Sequence, residues 1–162
     1  MRRAIDIKHH CTAGDRPAAT VTLTFDDRFR RRVKLTDDQG EDFLLDLADA
    51  HRLDDGDILV LEGGGGITVI AAPEPVIDIQ CASPSHAAQI AWHLGNRHTP
   101  VQILENGVIR IRRDHVLKEM ARKLGAVAVE RSAPFSPERG AYDDGGSGHG
   151  HHHHHDHGGR GA

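Results

Sequence analysis

The chain has 162 residues, of which 38% are hydrophobic and 27% are charged, a composition typical of a folded globular protein. Its net charge is -4 with histidine counted neutral, and the basic residues are spread along the chain, so nucleic-acid binding has no support. No apolar run approaches the roughly 18 residues of a membrane-spanning helix, and no signal-peptide pattern is present. We therefore expect a cytoplasmic protein without membrane contact, in which Cys11 and Cys81 are reduced.

Short strands separated by Asp- and Gly-rich turns are predicted for the first part of the chain. Alternating apolar and polar residues place these strands at 21–25, 32–35, 43–45, 58–61 and 67–70. The four glycines at 63–66 favour a hairpin connection, because a phosphate-binding loop needs a Lys-Ser/Thr pair and a helix after its glycines. Residues 1–73 are thus predicted to form a small all-β domain.

The pattern changes after the Pro-rich stretch at 72–75, which indicates a stiff, extended spacer and a domain boundary. The elements predicted beyond it are a strand at 76–81, a helix between Ser83 and Gly95, strands at 101–104 and 108–111 joined by Asn106-Gly107, a helix at 116–124 capped by Asp114 and ended by Gly125, and a strand at 126–129. This βαββαβ order predicts a ferredoxin-like domain at 76–131 and an α+β protein overall.

The remaining residues, 132–162, are rich in Pro, Gly and Asp and are predicted to form a disordered tail. Half of the fourteen histidines lie in it: His149, His151, His152, His153, His154, His155 and His157. Imidazole is a good ligand for Ni²⁺, Zn²⁺ and Cu²⁺, and a flexible run can wrap several nitrogens around one ion. An engineered purification tag is the alternative, but the run is interrupted by Gly150 and Asp156 and continues into 158–162, which favours metal binding.

Other histidines are weaker candidates when they are taken one at a time. His98 follows the first predicted helix and cannot hold an ion alone, although two copies in a symmetric dimer could share one; the alternative is an ordinary polar loop residue. His115 lies beside Asp114, where a solvated residue next to a helix cap is the favoured interpretation. Cys81 is expected to be a small buried residue, and His9-His10-Cys11 is more typical of an exposed loop than of a ligand cluster.

Catalytic motifs are not found in the sequence. It contains no nucleophile elbow, no HExxH and no CxxC pattern, and triads can be drawn only by free choice of residues. We therefore predict that the protein is not an enzyme.

Three segments of the second half resemble the UreE family of urease accessory proteins: 94–102 (LGNRHTPVQ), 114–117 (DHVL) and 134–142 (PFSPERGAY). The first half is similar more weakly, at 32–35, at Gly40 and at 53–57 (LDDGD). Family members often have a further histidine two positions before the one that matches His115. Arg113 occupies that position here, which makes His115 a weaker candidate than His98.

The resemblance implies a nickel chaperone that carries Ni(II) as cargo to apo-urease, with a peptide-binding-like first domain and a metal-binding second domain. It also implies a homodimer in which His98 of both subunits binds nickel, with the GTPase UreG and the urease apoprotein complex as partners. Zn(II) and Cu(II) are expected to bind the same ligands. Two alternatives are a histidine-rich storage or buffering protein and a peptide-holding chaperone with an incidental tail.

Overall fold

The structure, a computed structural model, describes residues 1–9 and 17–140. Its elements in chain order are β1 (Arg2–Lys8), β2 (Ala19–Leu23), a 3-10 turn (Asp26–Arg28), β3 (Phe29–Thr36), β4 (Asp42–Arg52), β5 (Ile58–Leu61), β6 (Gly66–Ala71), β7 (Pro73–Gln80), α1 (Pro84–Gly95), β8 (Gln102–Ile103), β9 (Ile109–Arg112), α2 (His115–Lys123) and β10 (Val127–Pro134). The described part is thus rich in strands, with two α-helices, which agrees with an α+β class. None of the helices described is long and apolar enough to cross a membrane.

The first six strands form one sheet in the order β2-β6-β5-β1-β4-β3. Alternate residues of β4 point into the core, where Phe43 and Leu45 are fully buried together with Leu59, Ile67 and Val69. Because the β5–β6 connection is a tight turn with Gly64 and Gly65 at positive φ, the predicted hairpin at 63–66 is confirmed. The five predicted strands are all present, although β4 is longer than expected and continues to Arg52.

Strand β1 was not predicted from the sequence. It pairs in parallel with β4 and antiparallel with β5, so it lies in the middle of the sheet. Its sequence, RRAIDIK, has only Ala4 fully buried, while Arg2 and Arg3 bind Asp37 and Asp46 of neighbouring segments. Long-range ion pairs, rather than an apolar pattern, characterise this strand, and such pairs leave no local signal.

The last four strands form a second, antiparallel sheet in the order β10-β7-β9-β8. The order of its elements along the chain is the βαββαβ order predicted above. Side chains from both helices and from the sheet share one apolar core, which includes Ile77, Ile79, Ile90, Leu94, Ile111 and Leu117.

The interpretation of residues 72–75 as a spacer is wrong. Pro73 and Pro75 belong to β7, where they lie opposite Pro134 and Ser132 of β10. Strand β9 joins β7 only from Val76 onward, so this end of β7 has one neighbouring strand. Proline lacks an N–H and is tolerated where a strand has a free edge.

The predicted disordered tail also needs correction, because residues 132–134 complete β10 and the segment at 135–140 is held in place. Phe135 is fully buried, the Ser136 N–H donates to Gln102 Oε1 at 3.0 Å, and the Glu138 N–H donates to the Val101 carbonyl at 2.7 Å. The histidine run at 149–157 lies outside the described residues.

Candidate metal site

Local sequence determines how α1 begins. The Ser83 hydroxyl accepts a hydrogen bond from the His86 N–H at 3.1 Å, and Pro84 occupies the first helical position, as predicted. A serine cap satisfies an N–H that the helix leaves free, and proline is preorganised for the first turn.

Helix α1 ends at Gly95, as predicted, but Gly95 is not the residue that adopts the left-handed conformation. That residue lies three positions later: His98 has φ 53°. The His98 N–H donates to the Gly95 carbonyl at 2.9 Å, and the Thr99 N–H donates to the Leu94 carbonyl at 3.2 Å. These two hydrogen bonds form the Schellman pattern, in which the left-handed position is usually glycine.

His98 is the only residue other than glycine with positive φ in the described part of the chain. A side chain in this conformation costs about 1–3 kcal/mol, and such residues cluster at functional sites. His98 is exposed at the end of α1. The fold thus presents this ring to solvent at an energetic cost that glycine would avoid.

His98 lines a cleft of about 640 Å³ between the end of α1 and the start of α2. The cleft contains three guanidinium groups, which would repel a cation unless their charge is balanced. Each has an acceptor: Arg97 donates to the His93 carbonyl at 2.9 Å, Arg112 pairs with Asp26 at 2.9 Å, and Arg113 lies 3.8 Å from Glu130. With Glu74 and Asp114 also lining the cleft, its net charge is nearly balanced.

His115 occupies the first turn of α2. Asp114 caps this helix, because its carboxylate accepts from the Leu117 N–H at 2.9 Å, as predicted. Asp114 lines the cleft, whereas His115 is exposed and does not line it. The structure therefore brings His98 close to the helix cap and leaves His115 to one side.

One described chain does not provide a full ligand set. Among residues 1–9 and 17–140, no three His, Cys, Asp or Glu side chains lie close enough to hold a metal ion. Cys81 is half-buried, and burial raises the pKa of its thiol, which disfavours the metal-binding thiolate. His10 and Cys11 lie outside the described residues.

A structural centre between the two sheets was not anticipated from the sequence. Phe135 packs edge-on against Phe25, with ring centroids 5.5 Å apart. Arg28 is fully buried and donates to the carbonyls of Leu53 and Phe135, and burial lowers the pKa of its guanidinium. The sequence around Arg28 gives no signal for this role, since both acceptors are distant in sequence.

The described residues thus define a two-domain α+β protein with an exposed, conformationally strained histidine beside a cleft. A model of the N-terminal domain of UreE urease accessory proteins matches residues 3–72, and a model of the C-terminal domain matches residues 74–160. The chain belongs to the UreE family of urease accessory proteins, as the resemblance implied. This is a family of accessory chaperones, not of enzymes, which confirms the prediction that the protein is not an enzyme.

Individual relatives are named urease accessory protein UreE. One from Rhodopseudomonas palustris strain BisB18 is 51% identical over 142 residues, covering 88% of this chain and 67% of the relative. Another from strain HaA2 is 56% identical over 127 residues, covering 78% and 59%. One from Chelativorans sp. strain BNC1 is 46% identical over 128 residues, covering 79% and 80%. The alignment with the HaA2 relative thus spans less than two thirds of that protein.

Proposed function

We propose that the protein is a cytoplasmic nickel chaperone that takes part in urease maturation and delivers Ni(II) to apo-urease. Membership of the UreE family supports the role in maturation. The observation that carries the metal-binding role is His98, a histidine at the left-handed helix-end position that glycine usually takes. An exposed imidazole suits a carrier, because the ion can be loaded and released from the surface.

The proposed site is shared by two subunits of a homodimer. Among the described residues of its own chain, His98 belongs to no group of three possible ligands. A twofold axis beside the cleft would place two copies of the same imidazole face to face. His115 and the seven tail histidines at 149–157 are proposed as secondary ligands that raise capacity.

The domain assignment is part of the same proposal. The βαββαβ order and the sheet order β10-β7-β9-β8 support a ferredoxin-like second domain, which carries the metal, after a first domain at 1–73. Residues beyond 140 are proposed to serve as a flexible histidine-rich tail.

Delivery is proposed to be passive transfer to better ligands. A site built only of imidazoles binds Cu²⁺ more tightly than Ni²⁺ and accepts Zn²⁺ as well, so affinity does not select nickel. Selectivity is therefore assigned to partner recognition, with UreG and the urease apoprotein complex as the proposed partners.

Nickel titration of the chain truncated after Gly145 tests the site. We expect one tightly bound Ni²⁺ shared by each dimer, and we expect His98→Ala to abolish this one-per-dimer binding event while dimer and fold persist. His93→Ala, in the last turn of α1, is the control and should keep this event. Retention of the one-per-dimer event at unchanged affinity in His98→Ala would show that another residue holds the shared ion.

Storage without delivery is the alternative that the histidine-rich tail favours. Mixing the nickel-loaded protein with apo-urease and UreG distinguishes the two. A delivery protein activates urease in the presence of a chelator that captures free nickel, whereas a storage protein loses its metal to the chelator and leaves urease inactive.

A further inference from the structure

A notch opens in the first domain where β1 leaves β4. The two strands pair in parallel only from Arg2 to Ala4, opposite Phe43 to Leu45, and β1 then continues along β5. Between the two strands lies a small pocket of about 180 Å³. Its lining consists of Ile5, Asp6, Ile7 and His9 from one side and Leu47, Ala48 and His51 from the other.

His9 is held at this notch by a buried carboxylate. Its Nδ1 lies 3.1 Å from Asp57 Oδ1, and Asp57 is only 2% exposed. The other oxygen of Asp57 accepts from the Asp54 N–H at 2.8 Å, so the carboxylate is itself fixed. Histidines that bind metals almost always donate their second ring N–H to such a group, which orients the ring and leaves Nε2 as the ligand.

His51 enters the notch from the end of β4. It is half-buried and lies opposite Arg30 in the pairing with β3. Within residues 1–9 and 17–140, its side chain has no hydrogen bond or ion pair, so a ring nitrogen is available. The pocket also contains Asp6, whose negative charge favours a cation over an anion.

We propose that His9 and His51 bind a divalent cation of the type that prefers nitrogen ligands, such as Ni²⁺, Zn²⁺ or Cu²⁺, with Asp57 orienting His9. Two imidazoles provide the protein ligands and water completes the coordination, which accords with the absence of any three-residue ligand set in the described part of the chain. This site lies in the first domain and does not depend on His98.

The test must separate this site from the other histidines. Arg139, ten residues before the histidine run, pairs with Asp54, which follows His51 by three residues. The experiment therefore uses the entire 162-residue chain with the seven histidines at 149–157 changed to Gln and with His98→Ala. Ni²⁺ is paramagnetic and broadens the amide signals of residues near it in a nitrogen–proton correlation spectrum.

Substoichiometric Ni²⁺ is expected to broaden signals from residues 5–9 and 47–51 first. His51→Gln should raise the apparent Kd for Ni²⁺ at least tenfold. Asp57→Asn should raise it about tenfold, because His9 loses the carboxylate that orients its ring. His86→Gln, at a half-buried histidine bonded to the Leu124 carbonyl, is the control and should leave the broadening unchanged. Spectra without metal show whether each variant keeps the fold.

Two results would overturn the proposal. One is broadening that persists at the same affinity in the His51→Gln variant. The other is broadening that disappears only when His10 and Cys11 are replaced, which would assign the ion to those residues. Because the background lacks His98, either result leaves the proposed nickel chaperone function untouched.

Discussion

Two segments of the second half carry the resemblance to the UreE family, 94–102 and 134–142, and their described residues have different structural roles. The first ends α1 and presents His98 to solvent in a left-handed conformation. In the second, Phe135 is buried against Phe25, and its carbonyl accepts from the buried Arg28. A distinctive sequence motif can therefore present a candidate metal ligand in one place and join two domains in another.

Removing the aromatic ring of the second segment should have the largest effect. Phe135→Ala is expected to lower the free energy of unfolding by about 3–5 kcal/mol, because it deletes a fully buried ring and leaves a cavity. Urea denaturation measures the change. Arg139→Ala removes an exposed ion pair of the same segment and should cost less than about 1 kcal/mol. If the two substitutions lowered the free energy of unfolding equally, Phe135 would not be part of the structural centre between the two sheets.

Removing the guanidinium of Arg28 should lower the free energy of unfolding by a smaller amount. Arg28→Met keeps the aliphatic bulk but leaves the carbonyls of Leu53 and Phe135 without a buried donor, at a cost of about 1–3 kcal/mol. Arg30→Met, which loses only an exposed pair with Asp27, is the control and should be nearly neutral. A neutral Arg28→Met would mean that water replaces the guanidinium.

At the first segment, substitution should separate stability from metal binding. His98→Gly removes the strain of a side chain at positive φ and should stabilise the protein by up to about 1 kcal/mol, while nickel binding at the shared site is lost. His98→Asn is the matched variant, because asparagine tolerates this conformation but lacks the imidazole. Destabilisation by His98→Gly in thermal unfolding would contradict the strained assignment.

The smallest expected effect is on the stability of the first domain at acidic pH. A hydrogen bond from Arg2 lowers the pKa of the Asp37 carboxyl, followed by backbone N–H groups of Glu41 and Gln39. A lowered folded pKa contributes stability above the unfolded value of about 3.9, and this stability is lost as pH falls further. Asp37→Asn should therefore flatten the dependence of unfolding free energy on pH below about 4. Urea denaturation of both proteins at several pH values measures this dependence.

Much of the second domain could be predicted because its signals are local. The caps at Ser83 and Asp114 and the turn at Asn106-Gly107 act within a few residues, and all three are present as expected. The segment 94–102 also makes His98 a candidate from the sequence alone. Its left-handed conformation could not be predicted, because that depends on where the last hydrogen bonds of α1 form.

What failed to be predicted depends on distant partners. Strand β1 is held by ion pairs and has no clear apolar pattern. Pro73 and Pro75 are typical of a spacer in the sequence, and only their pairing with β10 shows that they belong to a strand. The residues at 132–140 have the composition of a disordered segment, yet Phe135 finds its core in the other domain.

The family, the order of the second-domain elements and the abundance of metal-binding imidazoles follow from the sequence, because motif spacing, caps and composition are local properties. Which distant groups meet follows only from the fold. In the fold, Arg28 donates to the Phe135 carbonyl, Asp57 pairs with His9, and His51 lines the same pocket as His9. The physical reason is that burial and hydrogen bonding between residues far apart in sequence depend on the register of strands, and register is settled by the packing of the whole domain.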